Sequence, residues 1–151
     1  MAKVLIKKLD PSVELPSYKS IGASGMDLMA FIGHPIILPP KESCLIPTGL
    51  SVAFSEDYEI QIRPRSGLAA KQNISVLNTP GTIDSDYRGE IKIILYNYGN
   101  KNFTINNKDR IAQMIVCPVI KAIIDLAEVA AKEPRPLPAE PNEKDDYLKI
   151  I

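Results

Sequence analysis

The sequence predicts an all-β domain with one short helix. Three observations lead there. Short apolar runs recur along the chain. Thirteen prolines are scattered between them with glycines. No stretch keeps apolar residues at helical spacing for long. Many short strands with Gly/Pro punctuation indicate a sandwich, a jelly roll or a small barrel.

The elements follow in order. Val4-Leu5-Ile6 is the first strand. Met26 to Phe31 alternates partly and stops at Gly33-His34-Pro35. Ile36-Ile37-Leu38 precedes Pro39-Pro40, and Ser43 to Phe54 carries Leu45, Leu50, Val52 and Phe54, broken by Pro47 and Gly49. Tyr58 to Arg63 alternates cleanly, with Ile60 and Ile62 on one face and Glu59, Gln61 and Arg63 on the other. The helix is expected over Gly67 to Gln72, where Leu68-Ala69-Ala70-Lys71 are good helix formers. Ile74 to Leu77 and Ile91 to Tyr96 flank residues 77–90, whose Pro80-Gly81 and Arg88-Gly89 turn signals make a broad hairpin. Ile111 to Val116 is a strand ended by Pro118. Ile120 to Val129 suits either state, and Val119-Ile120 with Ile123-Ile124 tips it towards strand. After Ala131 the composition turns to proline and charge, so residues 1–131 are expected to form the domain and 132–151 an extended arm.

Bulk properties exclude several functions. Eighteen basic and eighteen acidic residues cancel, so no basic field is present to hold nucleic acid or an anionic membrane. No apolar run is long enough to span a bilayer, and no secretory signal is visible near Met1. A cytoplasmic protein is therefore expected. Cys44 and Cys117 lack metal-type spacing and read as buried small hydrophobes in a reducing compartment. The single histidine, His34, sits before Pro35 and reads as a surface turn residue rather than a zinc ligand.

Four clusters could carry chemistry. Residues 77–90 display Asn78, Asp84, Asp86 and Tyr87 among many backbone donors and acceptors, more polar chemistry than a structural hairpin needs. Asp84 could take a proton from water, or Asp84 and Asp86 could only staple turn amides. Tyr87 could stack on a ring or sugar, or pack cross-strand. Asn78 could read a base edge, or simply turn the chain. Arg63-Pro64-Arg65-Ser66-Gly67 leads into the helix, where unpaired N–H groups and a planar cation suit a phosphate; alternatively, Ser66 is an N-cap and Arg65 a surface charge. The Gly-x-x-x-x-Gly-Lys-Ser/Thr phosphate loop is missing. Lys108 to Gln113 places a polar Gln113 inside an apolar strand. Gly22-Ala23-Ser24-Gly25-Met26-Asp27-Leu28 is a small-residue turn whose Asp27 could hold metal-bound water or cap the turn.

Together and in this order, Gly22 to Leu28, Arg65-Ser66-Gly67-Leu68-Ala69, Gly81-Thr82-Ile83-Asp84-Ser85-Asp86-Tyr87-Arg88-Gly89-Glu90 and Asp109-Arg110-Ile111-Ala112-Gln113-Met114 resemble the first four motifs of the trimeric dUTPase family. The resemblance covers roughly residues 1–130. It implies a jelly-roll-like (β-clip) fold and a homotrimer with shared active sites. It also implies Mg²⁺-assisted hydrolysis of dUTP to dUMP and pyrophosphate, which limits uracil in DNA and supplies dUMP for thymidylate synthesis. Carried over, Asp84 matches the general base for attack on the α-phosphorus. Tyr87 matches the ring packed on deoxyribose. Asn78, with backbone groups of Thr82, Ile83 and Lys92, matches the uracil pocket. Arg65, Ser66, Gly67 and Gln113 match the phosphate contacts, and Asp27 matches the carboxylate near the metal's water shell. A dCTP deaminase shares the fold but not this hairpin.

The chain departs from the family in one place. The glycine-rich fifth motif, with its Arg and Phe, has no counterpart, since no glycine follows Gly99 and no Phe follows Phe103. Lys132, Arg135 and Tyr147 are the residues that would have to stand in. The expectation is dUTP binding with slower hydrolysis than a chain carrying the full arm. The alternative is a dUTP-binding regulatory module with weak catalysis.

Overall fold

The computed structural model describes residues 2–124. The chain divides into one unit over Met1–Ile120 and a second over Lys121–Ile151. The 131/132 domain boundary, the whole 132–151 arm with the stand-in residues Lys132, Arg135 and Tyr147, and residues 125–129 of the expected Ile120–Val129 strand lie outside the described residues.

Within the first unit eleven strands and one helix alternate in the order that Gly/Pro punctuation suggests: β1 (Val4–Lys8), β2 (Met26–Met29), β3 (Ile36–Leu38), β4 (Ser43–Pro47), β5 (Leu50–Phe54), β6 (Tyr58–Arg63), α1 (Ser66–Gln72), β7 (Ile74–Val76), β8 (Gly81–Ile83), β9 (Lys92–Asn97), β10 (Phe103–Ile105) and β11 (Arg110–Pro118). They pair antiparallel into four small sheets, ordered β1-β5, β10-β3, β2-β11-β6-β8 and β4-β9-β7. Neighbours in a sheet are rarely neighbours in sequence, as in a jelly roll.

Period-2 alternation sets which face is buried. On β6, Ile60 and Ile62 enter the core while Arg63 is exposed. On β9, Ile93 and Leu95 are fully buried, and Ile93 stands opposite the equally buried Ile46 of β4. Replacing Ile93 by Ala removes apolar volume from a site with no solvent access. We expect a loss of about 2–4 kcal/mol of unfolding free energy, read by urea denaturation.

The expected Ser43–Phe54 segment splits at Gly49. There φ is +68°, and the Val13 and Phe31 side chains fill the place a Cβ would take, so only glycine turns the chain here. Asn97, fully buried, is retained by hydrogen bonding. Its Nδ2 donates to the carbonyls of Leu38 (3.0 Å) and Lys101 (2.8 Å), and its Oδ1 accepts from Gly99 N–H (2.9 Å). This leaves the amide satisfied.

Three expectations need correction. Residues 119–124 form no strand: Val119 N–H bonds Asp57 C=O, and Ile120, Ile123 and Ile124 stand exposed, since apolar content without a partner strand makes no ladder. Cys44 and Cys117 are free but half-buried rather than buried; burial still pushes the Cys44 thiol above its usual range. The strand β10 was not expected. Its three residues pair with β3, 67 positions away at Thr104↔Ile37, a tertiary effect that local pattern does not carry.

Candidate active site

The four motif segments are gathered into two clusters by one sheet, β2-β11-β6-β8. The first lies where β2, β11 and β6 come level, with Gln113 of β11 opposite both Asp27 of β2 and Arg63 of β6. Just past Arg63, Pro64 and Arg65 lead into α1. Arg65 is at the N-cap in extended conformation (φ −87°, ψ 127°) and no side chain caps the helix, so Ser66 is the first helical residue rather than the cap. The first-turn N–H groups therefore lack a side-chain acceptor.

Here the carboxylate of Asp27 is gripped from two sides. Arg65 Nε donates to Oδ1 at 2.8 Å, and Arg110 Nη1 donates to Oδ2 at 3.3 Å. Arg65 also donates through Nη1 to the Arg110 carbonyl at 3.3 Å. Asp27 is only 18% exposed and Arg65 24%, so this pair is held in a partly dry place with two cations for one anion. Gln113 Nε2 donates to Pro64 C=O at 2.9 Å and so fastens the turn that carries Arg65. Its Oε1 lies over Gly25, where a Cβ would come within 2.6 Å of it. The small-residue turn thus makes room for the glutamine. Ser66 and Gly67 are exposed beside this cluster.

The second cluster is the 77–90 loop. The expected hairpin is real, since β7 pairs with β9 through Val76↔Leu95. Its loop, however, contains β8, which leaves that sheet and joins β6 through Ile62↔Gly81 and Ile60↔Ile83. The loop therefore bridges two sheets. As the last strand of its sheet, β8 has no strand on its outer side among the described residues, so part of its backbone donors and acceptors face outward there. The Asn78 side-chain amide lies against Gly81, 3.1 Å from where a Cβ would be, so Asn78 sits directly over the start of that edge. The Thr79–Pro80 bond between them is cis.

After Ile83 the chain turns, with Tyr87 N–H bonding Asp84 C=O at 3.1 Å. Arg88 Nη1 closes the turn from outside, donating to the carbonyls of Ser85 (2.6 Å) and Tyr87 (3.0 Å). It is the Asp84 carbonyl, not its side chain, that serves the turn. Among the described residues neither the Asp84 nor the Asp86 carboxylate takes a hydrogen bond or an ion pair, and both are exposed. Tyr87 is 42% exposed, and its hydroxyl donates to Glu90 C=O at 2.8 Å. Lys92 opens β9 and lies 3.8 Å from Glu90 Oε2.

The two clusters are brought to the same sheet but not to the same place. Asp27 and β8 are three strand spacings apart, and the Gln113 level is three residues along β6 from Ile60, opposite Ile83. At ~4.8 Å per strand and ~3.4 Å per residue, this separates the backbone positions of Asp27 and Ile83 by roughly 18 Å. Arg110 and Glu90 take part in these contacts without any role expected from the sequence. The signal for Arg110 was a cation three positions before Gln113; Glu90 had no local signal.

The family model for dUTPase matches residues 12–136. The chain is 55% identical over 124 residues to a deoxyuridine 5'-triphosphate nucleotidohydrolase of Bdellovibrio bacteriovorus, covering 82% of this chain and 83% of that protein. It is 58% identical over 109 residues to the enzyme of the same name from Treponema denticola, covering 72% and 76%. Its fold superposes on a dUTPase from phage phi11 of S. aureus, described with a structural Mg(II) ion. The TM-score is 0.76 at 20% identity over 83% of this chain and 97% of that one.

Proposed function

The chain belongs to the dUTPase family, and from that premise we propose how its geometry performs dUTP hydrolysis. It is a dUTP diphosphatase, cleaving dUTP to dUMP and pyrophosphate. The observation that carries the mechanism is the state of Asp84. Its carboxylate is exposed and engaged by nothing among the described residues, on a turn that is held by other atoms. That is what a general base needs: a fixed position and lone pairs left over for water.

In this reading Asp84 takes a proton from a water that attacks the α-phosphorus, and pyrophosphate leaves. Uracil lies along the outer side of β8. Backbone N–H and C=O groups of Thr82, Ile83 and Lys92 together with Asn78 pair its edge. Cytosine presents the opposite donor pattern and would leave those groups unpaired. Tyr87 packs on deoxyribose and leaves no room for a 2′-hydroxyl. Arg65, the N–H groups and hydroxyl of Ser66-Gly67, and Gln113 take the phosphates. Phosphoryl transfer needs such positioning and charge neutralisation more than covalent help.

The donor set fits Mg²⁺ delivered on the triphosphate. Among the described residues no three His, Cys, Asp or Glu side chains converge. Mg²⁺ keeps most of its waters and needs only one or two carboxylates besides phosphate oxygens. Asp27 would be the carboxylate beside the ion's water shell, and Arg65 and Arg110, its partners here, would be the cations available to the phosphates. When bound, the ion supplies charge neutralisation on the phosphate oxygens.

The roughly 18 Å between the backbone positions of Asp27 and Ile83 supports a site shared between copies, with the Asp84 turn of one chain serving phosphates held at the Asp27–Arg65 cluster of another. A homotrimer closes such a site by rotation. Exposed Leu5, Ile37 and Leu45 give the monomer apolar surface to bury.

The test is pyrophosphate release from dUTP with Mg²⁺, against dTTP, dCTP and UTP. The expected preference for dUTP in kcat/KM is at least about 100-fold. Ammonia release from dCTP would instead identify a deaminase, and tight dUTP binding without turnover a binding module.

A further inference from the structure

The mechanism gives Glu90 no part, yet its side chain is the peg that joins the Tyr87 turn to the core. Glu90 Oε1 accepts the N–H of Gly49 at 2.9 Å. Gly49 is buried and its backbone direction is set by the left-handed turn between β4 and β5. The next residue is bolted to the same turn: Ile91 N–H donates to Leu50 C=O at 2.8 Å, and Thr48 Oγ1 donates to Ile91 C=O at 2.7 Å. Glu90 C=O is in turn the acceptor for the Tyr87 hydroxyl at 2.8 Å. The ring lies so close over Gly89 that a Cβ there would overlap the phenol oxygen.

A continuous path of hydrogen bonds and one tight contact thus runs from a core turn to an aromatic ring that is 42% exposed. A ring held only by its Cα would sample several rotamers. Here the hydroxyl, the Gly89 contact and the Glu90 anchor define one.

We propose that Glu90 is a positioning residue for sugar discrimination: its carboxylate, seated on Gly49 N–H, fixes the carbonyl that holds the Tyr87 hydroxyl, and so fixes the distance from the ring to the sugar's C2′. This rests on the reading above that Tyr87 packs against deoxyribose. The simpler alternative is that Glu90 only satisfies a buried amide, which would otherwise be an orphan donor. The two differ in what they predict for selectivity.

The experiment measures kcat/KM for dUTP and for UTP in the full chain and in Glu90→Ala, Glu90→Gln, Tyr87→Phe and Tyr87→Ala. Glu90→Ala and Tyr87→Phe are each expected to lower the dUTP/UTP ratio by at least about fivefold, the weight of one lost hydrogen bond. Glu90→Gln keeps an oxygen for Gly49 N–H and is expected to retain the ratio. A fall in stability or in both rates together, with the ratio unchanged in Glu90→Ala, overturns the proposal. If Glu90→Ala does not fold, Glu90→Asp, one methylene shorter and so displaced from Gly49 N–H, decides by the same ratio. Tyr87→Ala tests the premise separately: an unchanged ratio there means the ring does not gate the sugar. A collapsed ratio there beside unchanged Tyr87→Phe and Glu90→Ala means that it gates without this anchor.

Discussion

Replacing Asp84 by Asn lowers kcat for dUTP hydrolysis by about 10³-fold, within the range of a lost general base, and leaves dUTP binding intact. The variant is nearly isosteric. The Asp84 side chain serves no hydrogen bond or ion pair among the described residues, while the turn is held by the Asp84 carbonyl and by Arg88. Fold and turn should therefore survive, and the melting temperature should not move, as for a surface change away from structural features. What is lost is the ability to accept a proton as water attacks. Single-turnover kinetics with a separate equilibrium measurement of nucleotide affinity separates the two. Loss of affinity with an unchanged rate constant would sink the assignment and make Asp84 a binding group. Unchanged turnover would move the general base elsewhere, with the equally exposed and unengaged Asp86 the first alternative.

What was legible in the sequence was what local periodicity and turn chemistry determine. The Tyr58–Arg63 alternation became β6 with Ile60 and Ile62 inside, because a two-residue period fixes faces without reference to a partner. The helix was placed within one residue, and its start differs because Arg65 rather than Ser66 adopts the extended N-cap conformation. Pairing was not legible. Gly81–Ile83 read as part of a turn, since three residues between Pro80 and Asp84 carry no period, and only the free edge of β6 makes them a strand. Conversely, Ile120 to Ile124 look like a strand in composition and meet no edge. The site divides the same way. Asp84, Tyr87 and Arg65 were visible as chemistry in turns. The ion pairs of Asp27 with Arg65 and Arg110, and the seat of Glu90 on Gly49, join residues 38, 83 and 41 positions apart. Nothing local encodes such contacts.

Two inactive variants should restore activity to each other. Arg65→Ala removes the cation at the head of α1 and leaves Asp27 with Arg110 alone. Its turnover of dUTP should fall by at least about 100-fold, as expected when a half-buried cation that neutralises a phosphate is removed. Asp84→Asn is dead for the reason already given. If each site draws Asp84 from one chain and Arg65 from another, as proposed above, then chains of the two variants unfolded together and refolded as mixed assemblies regain working sites. A site works when an Arg65→Ala chain supplies Asp84 and an Asp84→Asn chain supplies Arg65. With random assembly from equal amounts, that is about a quarter of all sites in a closed ring. The separately refolded variants, mixed without exchange, should stay inactive. Recovery near a quarter of wild-type kcat per chain is a result that a site within one chain cannot give, because every such site would carry one lesion or the other. No recovery, in samples shown by light scattering to contain mixed oligomers, would place both residues in the same chain's site and require the Asp84 turn to move far from the edge of β6.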